Sequence, residues 1–220
     1  MNKRIKTSIQ MIADYDNEYS KFFDVAVEGS MPVLATRSLV LFPGIISPIL
    51  IGRKQSLSLL KYVNKLEDPI FTVFCQKDNN VEKPEEKDLY RYGVYARLMK
   101  VIDMPGPGNN VTAIVQAMGR CELRKITRLT PYIVGDVAPA REDKPEADDE
   151  EFKTASEDLK TSAFNYIRDN EDLPDEAKLA LENIHNDVIA LNFVCTNLPF
   201  NVADKIELLT MNSLKDRLIG

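Results

Sequence analysis

The stretch MPVLATRSLVLFPGIISPILIGR, residues 31–53, carries the strongest structural signal in the sequence. Its first part, residues 32–42, is rich in branched and aromatic side chains, which predicts a strand that the turn pair Pro43-Gly44 closes. A second apolar run follows from Ile45 to Ile51, and Pro48 within it favours an edge strand or a bulge. The sequence therefore predicts two strands joined by a tight bend.

The strand pattern continues well beyond this bend. Residues 54–66 place apolar side chains at helical spacing and predict one short helix. Further strands are predicted at residues 70–76, 92–103, 111–118, 121–129 and 132–138, with the turn formers of residues 104–110 joining the second and third as a hairpin. Because strands dominate and few strand–helix–strand units occur, we predict a small, mostly antiparallel β-barrel or sandwich over residues 31–138.

The character of the chain changes after residue 138. Residues 139–151, PAREDKPEADDEE, are acidic and predict a linker. Helical spacing then predicts one helix from residue 152 and a second from Leu173-Pro174 through Cys195. Asn201 with Asp204, and Ser213 with Asp216, form candidate helix caps. The predicted fold is thus α+β, with an arm at residues 1–30, the barrel, the acidic linker and a helical bundle at residues 152–220. A short helix from Met11 to Val27 is one interpretation of the arm, and a mobile arm is the other.

Composition excludes several classes of function. Lys and Arg number 28 against 34 Asp and Glu, so the net charge of −6 argues against binding to nucleic acid through its phosphates. No stretch approaches the roughly 20 consecutive apolar residues of a membrane span, and no secretory signal is present. The cysteines Cys75, Cys121 and Cys195 are odd in number and widely spaced, which argues against a disulfide framework and favours a reducing, cytoplasmic compartment.

The sequence contains no recognisable catalytic or metal-binding motif. It has neither a glycine-rich phosphate loop nor a nucleophile elbow, and its one histidine, His185, falls within a predicted helix. An isolated enzyme would require a pocket that brings His185 to Cys75 or Cys121, although cysteines in apolar runs are usually inert. We therefore predict no catalytic and no metal-ligating residue in this chain.

The unusual feature of the sequence is the apolar character of both faces around the first bend. Side chains left exposed there would suit an extended or unfolded polypeptide, and flexible methionines would suit varied ligands. The candidate substrate-binding residues are Leu39, Phe42, Pro43, Ile45, Ile46, Ile49, Met99 and Met104. The alternative is that the bend lies wholly in the barrel core, and composition alone favours that alternative.

The same stretch resembles the opening of the N-terminal domain of the Lon family of ATP-dependent proteases. That family shows P-V-L-P-L-R-x-x-V-x-F-P followed by x-x-x-P-L-x-x-G-R. The matching residues are Pro32, Val33, Leu34, Arg37, Val40, Phe42, Pro43, Pro48, Gly52 and Arg53. The sequence departs from the pattern at Ala35-Thr36 and at Ser38. Weaker matches follow in order, so that the resemblance covers residues 31–218.

The resemblance implies a pseudo-barrel of the LON type, related to PUA domains, followed by helices that lead towards an ATPase module. It implies a substrate-recognition and assembly module that binds unfolded or damaged proteins and works in a hexamer. ATP, Mg²⁺ and the Ser-Lys dyad of a serine endopeptidase would belong to downstream parts, so we expect this chain to be a fragment that holds no cofactor itself. A stand-alone LON-domain adaptor or small-ligand-binding protein is the alternative.

Overall fold

The computed structural model describes residues 11–12, 25, 27–104, 109–146, 148–170 and 175–220. Within this part of the chain the strands are β1 (Met11–Ile12), β2 (Gly29–Thr36), β3 (Ile45–Ile51), β4 (Ile70–Cys75), β5 (Tyr92–Asp103), β6 (Val111–Arg128) and β7 (Val134–Pro139). The helices are α1 (Lys54–Val63), a single 3-10 turn (Glu86–Asp88), α2 (Glu150–Asp169), α3 (Asp175–Glu182), α4 (Asp187–Asn197), α5 (Val202–Thr210) and α6 (Leu214–Ile219).

The strands form a sheet in the order β1-β3-β6-β5-β4-β2-β7, and β7 pairs again with β6. Strands β6, β5, β4, β2 and β7 therefore close into a barrel, and β3 and β1 extend the sheet outward from β6. The pairing of β2 with β4 is parallel, and the other pairings are antiparallel. This arrangement confirms the predicted α+β fold with a mostly antiparallel pseudo-barrel and helices after it. The predicted hairpin is also present, as β5 and β6.

Two apolar cores lie on opposite sides of this curved sheet. One is made of side chains from the five barrel strands, such as Val33, Tyr95 and Met118, and fills the barrel. The other lies on the opposite side of the strands, beneath α1 and the C-terminal helices. Alternation along each strand separates the two sets, so that neighbours such as Val33 and Leu34 belong to different cores.

The strand predicted over residues 32–42 ends early, at Thr36. Ser38 takes a positive φ of 55°, which no regular strand accommodates, and residues 37–44 connect β2 to β3 irregularly. The two strands predicted at residues 111–118 and 121–129 are one strand, β6, because pairing with β5 and β7 carries it past Gly119-Arg120.

Helix α4 is the central helix of the C-terminal segment, since its residues Val188–Thr196 are all buried. The single helix predicted from Leu173 to Cys195 is in fact two helices. Asn186 interrupts it, because its side-chain oxygen accepts hydrogen bonds from the backbone N–H groups of Val188 and Ile189 at 3.0 and 3.1 Å. His185 consequently lies between α3 and α4 and not within a helix. The predicted start of that helix, Leu173-Pro174, lies outside the described residues.

The acidic segment predicted as a linker, residues 139–151, contacts both the barrel and the C-terminal helical segment. Glu142 forms ion pairs with Arg120 of β6 and Arg217 of α6. The backbone N–H of Asp143 donates to the carbonyl oxygen of Asn212 at 2.8 Å. These contacts attach the helices to the barrel.

Most of the arm predicted at residues 1–30, including the interior of its possible helix, lies outside the described residues, as do residues 105–108 of the hairpin turn.

Candidate functional site

The first bend, where sequence analysis located the candidate site, is covered by the C-terminal helices. Phe42, Pro43 and Ile45 are buried, and Ile45 packs among side chains of α2, α3 and α4. The side-chain amide of Asn192 donates to the carbonyl oxygen of Pro43 at 3.0 Å. Because the helical segment seals the bend, these three residues do not form an exposed surface.

Strand β3 divides the remaining candidates by simple alternation. Ile45, Ser47, Ile49 and Ile51 point towards the core beneath the helices and are buried. Ile46 and Pro48 are half-buried on the opposite side, where Leu50 is 68% exposed. Leu39, on the connection before β3, is also half-buried. On β3 the most exposed apolar side chain is therefore Leu50, which the sequence analysis did not select.

The exposed side of β3 continues onto β6 and β5, because residues of the three strands lie opposite one another in the sheet. Leu50 lies opposite Thr112 of β6, which in turn lies opposite Ile102 of β5. Two residues along, Pro48, Ile114 and Lys100 form a second row on the same side. Directly opposite residues on one face of a sheet are in side-chain contact distance. We call Pro48, Leu50, Ile102, Thr112 and Ile114 the outer apolar face.

The two predicted methionines lie at the end of this surface. Met104 directly follows β5 and lies two residues after Ile102. It is 43% exposed and donates its backbone N–H to the carbonyl oxygen of Asn110 at 3.1 Å. Met99 is 52% exposed and sits where the β5–β6 register shifts between Leu98 and Lys100. Ile102 itself is 41% exposed. Of the predicted residues, Ile46, Met99 and Met104 are thus placed on or beside accessible apolar surface.

A cleft of about 440 Å³ adjoins Leu50. Its lining includes Arg37, Leu39, Pro48, Leu50, Arg53 and Asn110. Arg53 donates to the carbonyl oxygen of Ala35 and to the side-chain oxygen of Gln76, both at 2.6 Å. Burial lowers the pKa of Arg53, and the nearby charge of Arg37 lowers this pKa further. We call this the arginine cleft.

The cysteines are poorly suited to nucleophilic catalysis. Cys75, Cys121 and Cys195 are free and buried. Burial raises the pKa of all three thiols, that of Cys195 to about 12, which is opposite to the lowering that an activated thiolate requires. Within the described part of the chain, no cluster of three His, Cys, Asp or Glu residues could hold a metal ion. None of the described helices has both the length and the hydrophobicity needed to cross a membrane.

The barrel, the attached helices and the outer apolar face define a protein module whose candidate site is a binding surface. The family model for the ATP-dependent protease La (LON) substrate-binding domain matches residues 30–219. The chain belongs to this family, and the resemblance seen in the sequence is confirmed.

Relatives of known sequence agree with this assignment. The Lon protease of Flavobacterium johnsoniae is 33% identical over 190 residues, which are 86% of this chain and 23% of that protein. The Lon protease of Parabacteroides distasonis is 31% identical over 204 residues, 93% of this chain and 24% of that protein. The chain therefore spans about a quarter of the length of these relatives.

Solved structures share the fold. The N-terminal domain of Mycobacterium avium complex Lon protease superposes with a TM-score of 0.64 at 17% identity, over 86% of this chain and 94% of that one. The Lon N-terminal domain protein from Xanthomonas campestris gives a TM-score of 0.58 at 17% identity, over 86% and 95% of the two chains. At this identity the likeness establishes the architecture.

Sequence reasoning missed Leu50, Ile102 and Ile114. The signal for Leu50 was available, since strict alternation from the buried Ile45 puts Leu50 on the opposite side of β3. Ile102 and Ile114 join it only through the pairing of β3 with β6 and of β6 with β5, which a single sequence does not specify.

Proposed function

We propose that this chain is the substrate-recognition part of an ATP-dependent Lon protease and that it binds unfolded or damaged polypeptides through its outer apolar face. The single observation that carries the proposal is the row Leu50, Thr112 and Ile102, which joins two exposed apolar side chains across three paired strands. Membership of the LON substrate-binding family supports it.

The geometry of the face suits unfolded chains better than folded ones. Folded proteins keep most large apolar side chains inside, whereas an unfolded segment presents them to any apolar surface. The face is mounted on a continuous sheet whose other side packs against the core beneath the helices, so it need not rearrange to bind. A few partly exposed side chains give weak binding, which several copies in one assembly would strengthen through high local concentration.

The proposal also covers the ATPase and protease parts and the assembly in which this chain would work. We assign ATP, Mg²⁺ and the proteolytic Ser-Lys dyad to the portion of the relatives that this chain does not match, which is about three quarters of their length. We place this chain in a hexamer in the cytoplasm, where it presents substrate to the protease body. The three free cysteines agree with a reducing compartment.

The test is a titration of the 220-residue chain with one protein in two states. Reduced, carboxamidomethylated α-lactalbumin is unfolded, and the native disulfide-bonded form is the matched folded control. Isothermal titration calorimetry should show binding of the unfolded form with a negative heat-capacity change, because apolar surface is buried. Binding of both forms with equal affinity, or of neither, would overturn the proposal.

A further inference from the structure

The arginine cleft is positively charged in a protein that is acidic overall. Its lining contains Arg37 and Arg53 and neither Asp nor Glu, while the chain carries a net charge of −6. The larger cleft beside the 3-10 turn differs, because Glu85 and Glu86 line it together with its basic residues. The local charge therefore favours an anionic ligand at the arginine cleft and not at the other.

Among the described residues no carboxylate forms a direct ion pair with Arg53, and Glu82 acts on it only through its charge. Both of its hydrogen bonds go to neutral oxygens, those of Ala35 and Gln76. A guanidinium has five N–H donors, and these two hydrogen bonds use two of them. Partial burial and the repulsion from Arg37 lower the pKa of Arg53, and the charge of Glu82 offsets part of this shift. A bound anion would act on Arg53 in the same direction as Glu82.

Arg37 is the more accessible of the two arginines. Its ion pair with Glu82, at 2.7 Å, lies between exposed side chains. Pairs of this kind contribute little free energy because water screens them. Arg37 can therefore exchange Glu82 for another carboxylate at small cost.

The cleft is continuous with the outer apolar face, since Pro48 and Leu50 belong to both. Resting on the function proposed above, we propose that the chain prefers polypeptide segments in which apolar residues are followed by a carboxylate. The apolar side chains lie on the outer apolar face and the carboxylate binds Arg37 and Arg53. That carboxylate belongs either to the C-terminus of the polypeptide or to an acidic side chain.

Three versions of one short, fluorescein-labelled apolar peptide distinguish these sources. One has a free C-terminal carboxylate, one has a C-terminal amide, and the third has the amide with a Glu as its last residue. In fluorescence anisotropy with the full chain, the free acid should bind about fivefold more tightly than the amide, because charged hydrogen bonds are the stronger ones. Recovery of affinity by the Glu peptide extends the ligand to acidic side chains, and no recovery restricts it to C-termini. Equal affinity of all three peptides would overturn the inference.

Variants test the arginines directly. R37Q removes one guanidinium without touching the structural hydrogen bonds of Arg53, and it should weaken the acid-bearing peptides about threefold while leaving the amide unchanged. R168Q is the matched control, because Arg168 is an exposed arginine of α2 that pairs with its neighbour Asp169. R53K retains the positive charge but loses the planar guanidinium, which can donate two hydrogen bonds to one carboxylate. It should therefore also reduce the preference for the peptide with a free C-terminal carboxylate. A preference that survives R37Q and R53K undiminished would overturn the assignment to this cleft.

The two proposals fail differently. If all three peptides bind equally and L50S weakens them all, the outer apolar face binds polypeptide and the carboxylate inference is wrong. If unfolded α-lactalbumin binds but none of the peptides does, the carboxylate inference alone fails. If neither the unfolded protein nor any peptide binds, the proposed function fails as well.

Discussion

The side-chain amide of Asn192 donates a 3.0 Å hydrogen bond to the carbonyl oxygen of Pro43, 149 residues earlier in the chain. The side-chain oxygen of the same Asn192 accepts from Arg217 at 3.1 Å. Asn192 is completely buried, so it connects the first bend of the barrel region to α6 through the middle of the helical segment. This connection holds the helices against the bend, so the bend is not an accessible surface.

Replacing Asn192 by Ala should destabilise the fold strongly. The substitution leaves the Pro43 carbonyl and one Arg217 N–H without their partners, and it opens a small cavity. Buried polar groups without partners cost about 1–3 kcal/mol each, so we expect the free energy of unfolding to fall by about 2–3 kcal/mol in urea denaturation. N80A, at an exposed asparagine, is the control and should change stability by less than about 0.5 kcal/mol. Equal effects of the two substitutions would contradict the role of Asn192.

Among the described residues, Glu142 should be the carboxylate whose replacement costs the most stability. One of its oxygens accepts from Arg120 at 2.6 Å and from Arg217 at 3.1 Å, and both arginine side chains are fully buried. E142Q keeps the shape but leaves two buried guanidiniums without a counter-charge, so the free energy of unfolding should fall by about 3 kcal/mol. The exposed pair of Glu82 with Arg37 is the control, and E82Q should cost less than about 1 kcal/mol. A small loss with E142Q would show that the pair is not what attaches the helices.

The buried thiols predict a loss of stability in alkali. An unfolded cysteine loses its proton near pH 8.5, roughly, whereas the folded protein retains it because burial raises the pKa of all three thiols. The free energy of unfolding should therefore be unaffected by the thiols below that pH and fall above it, by up to about 1.4 kcal/mol per pH unit for each thiol. For Cys195 the decline continues to a pKa of about 12. Urea denaturation at increasing pH measures the slope, which C195A should make shallower. Identical slopes would contradict this prediction.

Substitutions on the outer apolar face should weaken binding without affecting stability. L50S with I102S should reduce the affinity for unfolded α-lactalbumin about fivefold or more, since each exposed side chain contributes only part of the 1.5–3 kcal/mol, roughly, of a fully buried one. L179S is the matched control, because Leu179 is 57% exposed but lies on α3. A loss of affinity with L179S as large as with the double variant would show that exposure alone, and not this face, governs binding.

Local patterns in the sequence predicted most of the elements. Strand β4 and the β5–β6 hairpin follow from alternation and turn formers, which act over a few residues. The predicted caps are also confirmed, since Asp204 donates its backbone N–H to Asn201 and Asp216 donates its own to Ser213, at 2.9 and 3.0 Å. The break at Asn186 was missed because the apolar spacing continues on both sides of it, without glycine or proline to interrupt the pattern.

The position of the candidate site could not be predicted in the same way. Which side of β3 is covered depends on α4, whose contact with Pro43 bridges 149 residues. Leu50 and Ile102 become neighbours only through their shared partner Thr112, so strand register decides the surface and composition does not. The apolar stretch of residues 39–51 could thus be recognised from the sequence. Which of its residues are buried and which are exposed depends on the packing of the helices.

Methyl NMR spectroscopy tests the central claim most directly. With Ile, Leu and Met methyl groups labelled, the chain is titrated with unfolded, carboxamidomethylated α-lactalbumin. We predict shifts of the Leu50, Ile102 and Ile114 methyl signals, while those of Leu179 on α3 and Ile219 on α6 stay in place. Shifts confined to the helical segment, with the outer apolar face unperturbed, would contradict the account.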